Sequence, residues 1–127
     1  MSIYQGSWGT DLPDFPSAAD LTGKEGFAAK RTSNTYDLCG GVEASFVGVF
    51  THCLPGTGAK CSVRGYGEVL VKCGGTVTAN ALMAIDADDE FIAATSGMTP
   101  VGRFMADGVD QDYVKAVIFH IADESVA

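Results

Sequence analysis

GYGEVLVKCGGTVTANALMAIDADDEFIAA, running from Gly65 to Ala94, holds both the clearest strand of the chain and its main ambiguity. Within Glu68 to Cys73, Val69, Val71 and Cys73 share one parity while Glu68 and Lys72 share the other, which is the pattern of a half-buried strand. Gly74-Gly75 is predicted to reverse the chain through positive φ angles. Asn80 to Ala94 is rich in Ala, Leu, Met and acidic residues, so propensity alone also allows a helix. Against the helix, Asp86, Asp88, Asp89 and Glu90 crowd together with no basic residue three or four places away. Two strands around an acidic turn is the better reading.

Upstream, Lys24 to Thr32 and Thr35 to Cys39 are candidate strands joined by a Ser33-Asn34 turn. Ser45 to Phe50 is an apolar run of strand length, consistent with burial on both faces. Pro55-Gly56-Thr57-Gly58 is a loop by composition. After it, Ala59, Cys61 and Val63 alternate with Lys60, Ser62 and Arg64. Downstream the pattern repeats: Val47-Gly48-Val49-Phe50 is echoed by Val101-Gly102-Arg103-Phe104, and Ala59 to Val63 by Val114 to Ile118. Phe27-Ala28-Ala29 finds a counterpart in Phe91-Ile92-Ala93. The expectation is an all-β, compact barrel-like domain made of two similar strand units.

Residues 1 to 23 differ: Gly6, Gly9, Pro13 and Pro16 interrupt them, and no alternation is present. The plain reading is a frayed terminus. The sharper one is an extended arm that orders on a partner surface, anchored by Ile3, Tyr4, Trp8, Leu12 and Phe15, since large apolar side chains dominate interface energetics. The expected organisation is therefore an arm, 1–23, and one β domain, 24–127.

A chain of 127 residues with 46% apolar content can bury a core of its own, and 16 glycines against 4 prolines suit a turn-rich β fold. The net charge of -8 repels phosphate backbones, so nucleic acid is not an expected partner. Met1 to Thr10 has neither a basic start nor an apolar run, and Ala116 to Ala122 is too short to cross a bilayer; synthesis in the cytoplasm and no membrane partner are expected. Cys39, Cys53, Cys61 and Cys73 are then expected as reduced thiols, although two in facing strands could oxidise outside a cell.

No catalytic, cofactor or metal residue emerges. Gly56 to Ser62 lacks the glycine before Lys60 and the hydroxyl after it that a phosphate-binding loop needs. Asp107, Asp110 and Asp112 lack the spacing of a calcium loop and read as a solvated turn, as do Asp86 to Glu90. His52 and His120 carry no local signature that pairs them with Cys53 or Cys61 as a nucleophile. One surface does stand out. If Val114, Ala116 and Ile118 face the core, then Tyr113, Val117 and Phe119 face outward, and Leu70 joins them from its own strand. An apolar cluster of this kind implies a homo-oligomer.

On these segments, GGTVTANALMAID, DEFIAAT, VGRF and VKAVIF, the chain from Lys24 to Ile121 resembles a family of small phage head proteins, the capsid decoration or cement proteins. The resemblance implies a β-barrel or β-tulip domain, trimeric on the outer face of an icosahedral head. There it would bridge neighbouring copies of the major capsid protein, hold by an N-terminal arm, and need neither cofactor nor catalysis. The four cysteines and the aromatic-rich first segment depart from that pattern. An adhesion or head-fibre base module that binds host surface material is the alternative, and a small cysteine- or metal-dependent enzyme is a third.

Overall fold

The computed structural model describes residues 9–41 and 45–119. Among these the regular elements are all strands. Two short ones lead the chain, β1 (Gly9–Asp11) and β2 (Phe15–Pro16). A hairpin follows, β3 (Ala28–Thr32) and β4 (Thr35–Leu38), then β5 (Phe46–Cys53) and the long β6 (Lys60–Lys72). The second half repeats the plan with β7 (Leu82–Ile85), β8 (Phe91–Ala93), β9 (Gly102–Phe104) and β10 (Tyr113–Ile118).

The strand order is β4-β3-β5-β6-β10-β9-β7-β8, an antiparallel sheet curled into a half-barrel. It reads as two equivalent units, each a hairpin whose first strand pairs a third, which in turn pairs a fourth. The units meet where β6 pairs β10, from Lys72↔Tyr113 to Gly67↔Ile118. Gly48 on β5 and Gly102 on β9 hold equivalent places. A Cβ on Gly48 would run into the Arg64 carbonyl, and one on Gly102 into the Val117 carbonyl. Only glycine lets the neighbouring strands approach that closely.

Three expectations change. Phe91-Ile92-Ala93 is the counterpart of β4 and not of Phe27-Ala28-Ala29, because the strand opposite Gly102 is β7, through Met83, as Ala29 lies opposite Gly48. The candidate strands Ala59 to Arg64 and Glu68 to Cys73 merge into one strand of 13 residues, β6, bounded by Lys60 and Lys72. Finally, Gly74 and Gly75 turn the chain without positive φ; the left-handed positions of the hairpins are Ser33 and Asp89. The two strands around an acidic turn stand as read, as β7 and β8.

Two apolar clusters fill the interior. The first takes Val69, Val71, Phe104, Ala116 and Ile118 from the junction of the units, with Phe46 set edge-on to Phe91 at 6.1 Å. The second lies within the first unit and comprises Leu21, Phe27, Tyr36, Phe50, Cys53, Cys61 and Val63. β5 serves both, Phe46 and Val49 in one and Phe50 and Cys53 in the other, which is why its sequence is apolar without alternation.

Residues 9–21 are built into the body that the sequence was expected to begin at Lys24. β1 pairs with β6 through Gly9↔Gly67 and Thr10↔Tyr66, then slips by one residue at Gly65 so that Asp11 lies opposite Arg64. β2 sets Phe15 opposite Cys61. Tyr36 donates its hydroxyl to the Pro13 carbonyl at 2.6 Å, and Leu21 is 1% exposed.

Candidate functional site

Side chains directly opposite in an antiparallel ladder lie on the same side of the sheet. Leu82, Arg103, Val117 and Glu68 therefore form one outward row across four strands. Lys115 and Leu70 form the next row, and Tyr113 and Lys72 the last. The opposite side carries Val114, Val71, Ala116, Val69 and Ile118 into the core. Leu70 and Val117 are half-buried, Tyr113 is exposed, and Phe119 is half-buried just past the end of β10.

The face is a chequered surface and not a bare apolar patch. Lys115 Nζ lies 3.1 Å from Glu68 Oε1, between Leu70 and Val117. The Lys72 ammonium sits 4.8 Å from the centre of the Tyr113 ring, a cation–π contact that leaves part of the ring open. Arg103 Nη1 donates to the Asn80 carbonyl at 2.7 Å. The face thus mixes apolar spots with charges held by defined partners.

Tyr66, 51% exposed, belongs to the same outward parity as Glu68 and Leu70. Sequence reasoning missed it by breaking the strand at the glycines on either side. Extending the Glu68–Lys72 parity two residues back would have found it.

Of the five expected arm anchors, Ile3, Tyr4 and Trp8 lie outside the described residues. Leu12 and Phe15 pack against the second cluster of their own chain. The Arg31 guanidinium covers the Phe15 ring at 4.4 Å, and Arg64, buried though its parity points outward, donates Nε to Asp11 Oδ1 at 2.8 Å. A buried guanidinium needs such an acceptor, so the arm root is keyed to β6 by charge as well as by packing.

The acidic turn is used internally. Asp86 Oδ1 accepts the Asp88 and Glu90 N–H groups at 2.9 and 3.0 Å, Asp89 Oδ1 accepts Gly41 N–H at 2.8 Å, and Gln111 Nε2 donates to Glu90. Asp89 and Glu90 are buried, contrary to the expected solvated turn. Asp86, Asp88 and Glu90 hold carboxylate oxygens within 4.8 Å of one another, the grouping among the described residues that could hold a cation. Asp112 accepts the Val109 N–H group within its own loop, and Asp107 accepts the Ala79 N–H group of the β6–β7 connection. Burial pushes every thiol up, Cys39 to about 12 and Cys73 to about 11, with Cys53 and Cys61 moved the same way. That is opposite to the shift that activates a cysteine nucleophile. His52 is half-buried and His120 lies outside the described residues. No protein-family model matches the chain, and no curated protein matches it.

Proposed function

We propose that this protein is a structural component of a virion, a decoration protein that binds the outer surface of an expanded phage head and bridges its major capsid subunits. The observation that supports this reading best is the chequered face of β6, β10, β9 and β7, where Tyr66, Leu70, Tyr113, Val117 and Leu82 alternate with charged side chains. In the proposal that face packs against neighbouring copies around a threefold axis. The segment before Gly9 reaches the lattice from a root fixed to the body.

The physics needs no reaction. A protein that binds only the assembled, expanded lattice stabilises that state by linkage, in proportion to RT ln(1 + [L]/Kd). Three arms on one axis raise the effective concentration of each for its site, so weak single contacts sum to a firm hold.

The test joins two measurements. The purified chain is expected to sediment as a trimer, and to co-sediment with expanded heads while raising the temperature at which they release DNA. A monomer that leaves head stability unchanged rules the proposal out, and capture by host envelope material in place of heads would assign the chain to adhesion.

A further inference from the structure

Cys53 and Cys61 are register partners on β5 and β6. Leu54 N–H bonds the Lys60 carbonyl at 3.2 Å, whereas Cys53 N–H turns away to Glu25 Oε2 at 3.0 Å. Cys53 and Cys61 thus occupy a non-hydrogen-bonded position of the ladder, where opposed Cα atoms are about 4.5 Å apart and side chains lie closest. A disulfide spans Cα separations of about 4.4–6.8 Å. Both side chains lie in the second cluster, and the Cys61 thiol donates to the Ala59 carbonyl at 3.8 Å.

We propose that Cys53 and Cys61 form a redox site, closing to a cross-strand disulfide when the folded protein meets a small-molecule disulfide. One cysteine thiolate attacks a sulfur of the oxidant, forming a mixed disulfide and releasing one small thiol. The second cysteine thiolate then attacks the protein-bound sulfur and expels the other small thiol. The pair loses two electrons, the oxidant gains them, and the two thiol protons end on the two released thiols.

The remaining cysteines have no such partner. Cys73 bridges to Phe91, and Cys39 N–H bonds the Ala28 carbonyl. Burial keeps both reacting thiols protonated, so closure is slow and proceeds through opening of the hairpin end, where Leu54 is exposed. The crosslink closes a short loop and gives a modest rise in Tm. It also fixes the strand end on which β2 lies, since Phe15 is opposite Cys61. The inference rests on strand register and not on the capsid reading.

The full chain, incubated folded with excess oxidised glutathione, is expected to fall from four free thiols to two without retaining glutathione mass. Trypsin, cutting after Lys60, should then leave peptide 61–64 joined to peptide 32–60 until reductant is added. Fragmentation of the joined peptide assigns the bond to Cys53 and not Cys39 even if no variant folds. The Cys39→Ser/Cys73→Ser double variant should form the same link, and Cys53→Ser should not. Four thiols still free after the unfolded chain has oxidised under the same conditions, or a link through Cys39 or Cys73, would overturn the proposal.

Discussion

Asp89 shows how much one residue can contribute to a fold whose sequence assigns it elsewhere. It stands in the acidic turn at φ 64, is 5% exposed, and holds Gly41, 48 residues away in sequence. Burial pushes its carboxyl up, the Gly41 and Gly40 N–H groups pull it back in part, and Asp86 and Asp37 add to the rise. Glu90 is raised in the same way, with Gln111 opposing. The folded chain therefore keeps these protons at a pH where the unfolded chain has released them. Their stabilisation is full below the ordinary carboxylate range and is lost as pH rises through the raised folded values. Asp89→Asn retains an acceptor for Gly41, carries no charge to desolvate and suits a left-handed backbone. Its Tm at pH 7 should exceed that of the parent by a few degrees, and its stability should decline less between acid and neutral pH; thermal melts across that range check both. A lower Tm at pH 7 would refute the assignment. The turn itself was legible in the crowding of acids, but the burial of Asp89 was not, because its partner comes from the other unit.

At the scale of strands, the echo of Val47-Gly48-Val49-Phe50 in Val101-Gly102-Arg103-Phe104 was legible for a physical reason. Each glycine faces a neighbouring carbonyl so closely that a methyl group would displace the strand. Gly48→Ala and Gly102→Ala should each destabilise the protein by about 1–3 kcal/mol, the range for overpacking a tight site. Gly75→Ala, where nothing lies within 4 Å of the added carbon, serves as control in the same urea titration. If the two strand substitutions proved as mild as the control, the equivalence of β5 and β9 would lose its structural basis. Two errors at this scale share a cause. Phe91 was matched to Phe27 by local resemblance, yet its role follows from hairpin order, which places it on β8, beyond β7. Gly65 and Gly67 suggested a break in what is one strand, because the pairing of β1 across them is a contact distant in sequence. Period-2 alternation records burial by neighbours already in the sheet; Arg64 is covered instead by the segment of Asp11, 53 residues earlier in the sequence.

For the whole molecule, the question is where the body ends and the arm begins. A cut before Lys24 looks natural in the sequence, since alternation starts there. In the fold it removes Leu12, Phe15 and Leu21 from the second cluster, Asp11 from Arg64, and the Pro13 carbonyl from Tyr36. Truncating a buried large apolar side chain costs about 2–5 kcal/mol. Leu21 is buried and falls in that range, while the half-buried Leu12 and Phe15 cost less each. Together with the loss of Asp11 from the buried Arg64 they take a large share of the total stability of a small domain, about 5–15 kcal/mol. Deleting residues 2–23 should therefore unfold the protein or lower its Tm far beyond any single substitution. Deleting residues 2–8 leaves every contact described above in place, so this variant is expected to keep a cooperative thermal transition that the longer deletion loses. Thermal denaturation of the two deletions side by side decides the boundary, and equal melting of both would mean that the root contributes nothing to the body. The same pair bears on attachment to heads. Loss of binding in the longer deletion would confound a missing arm with a missing fold, whereas loss in the shorter one, with melting unchanged, would locate the contact in the first eight residues.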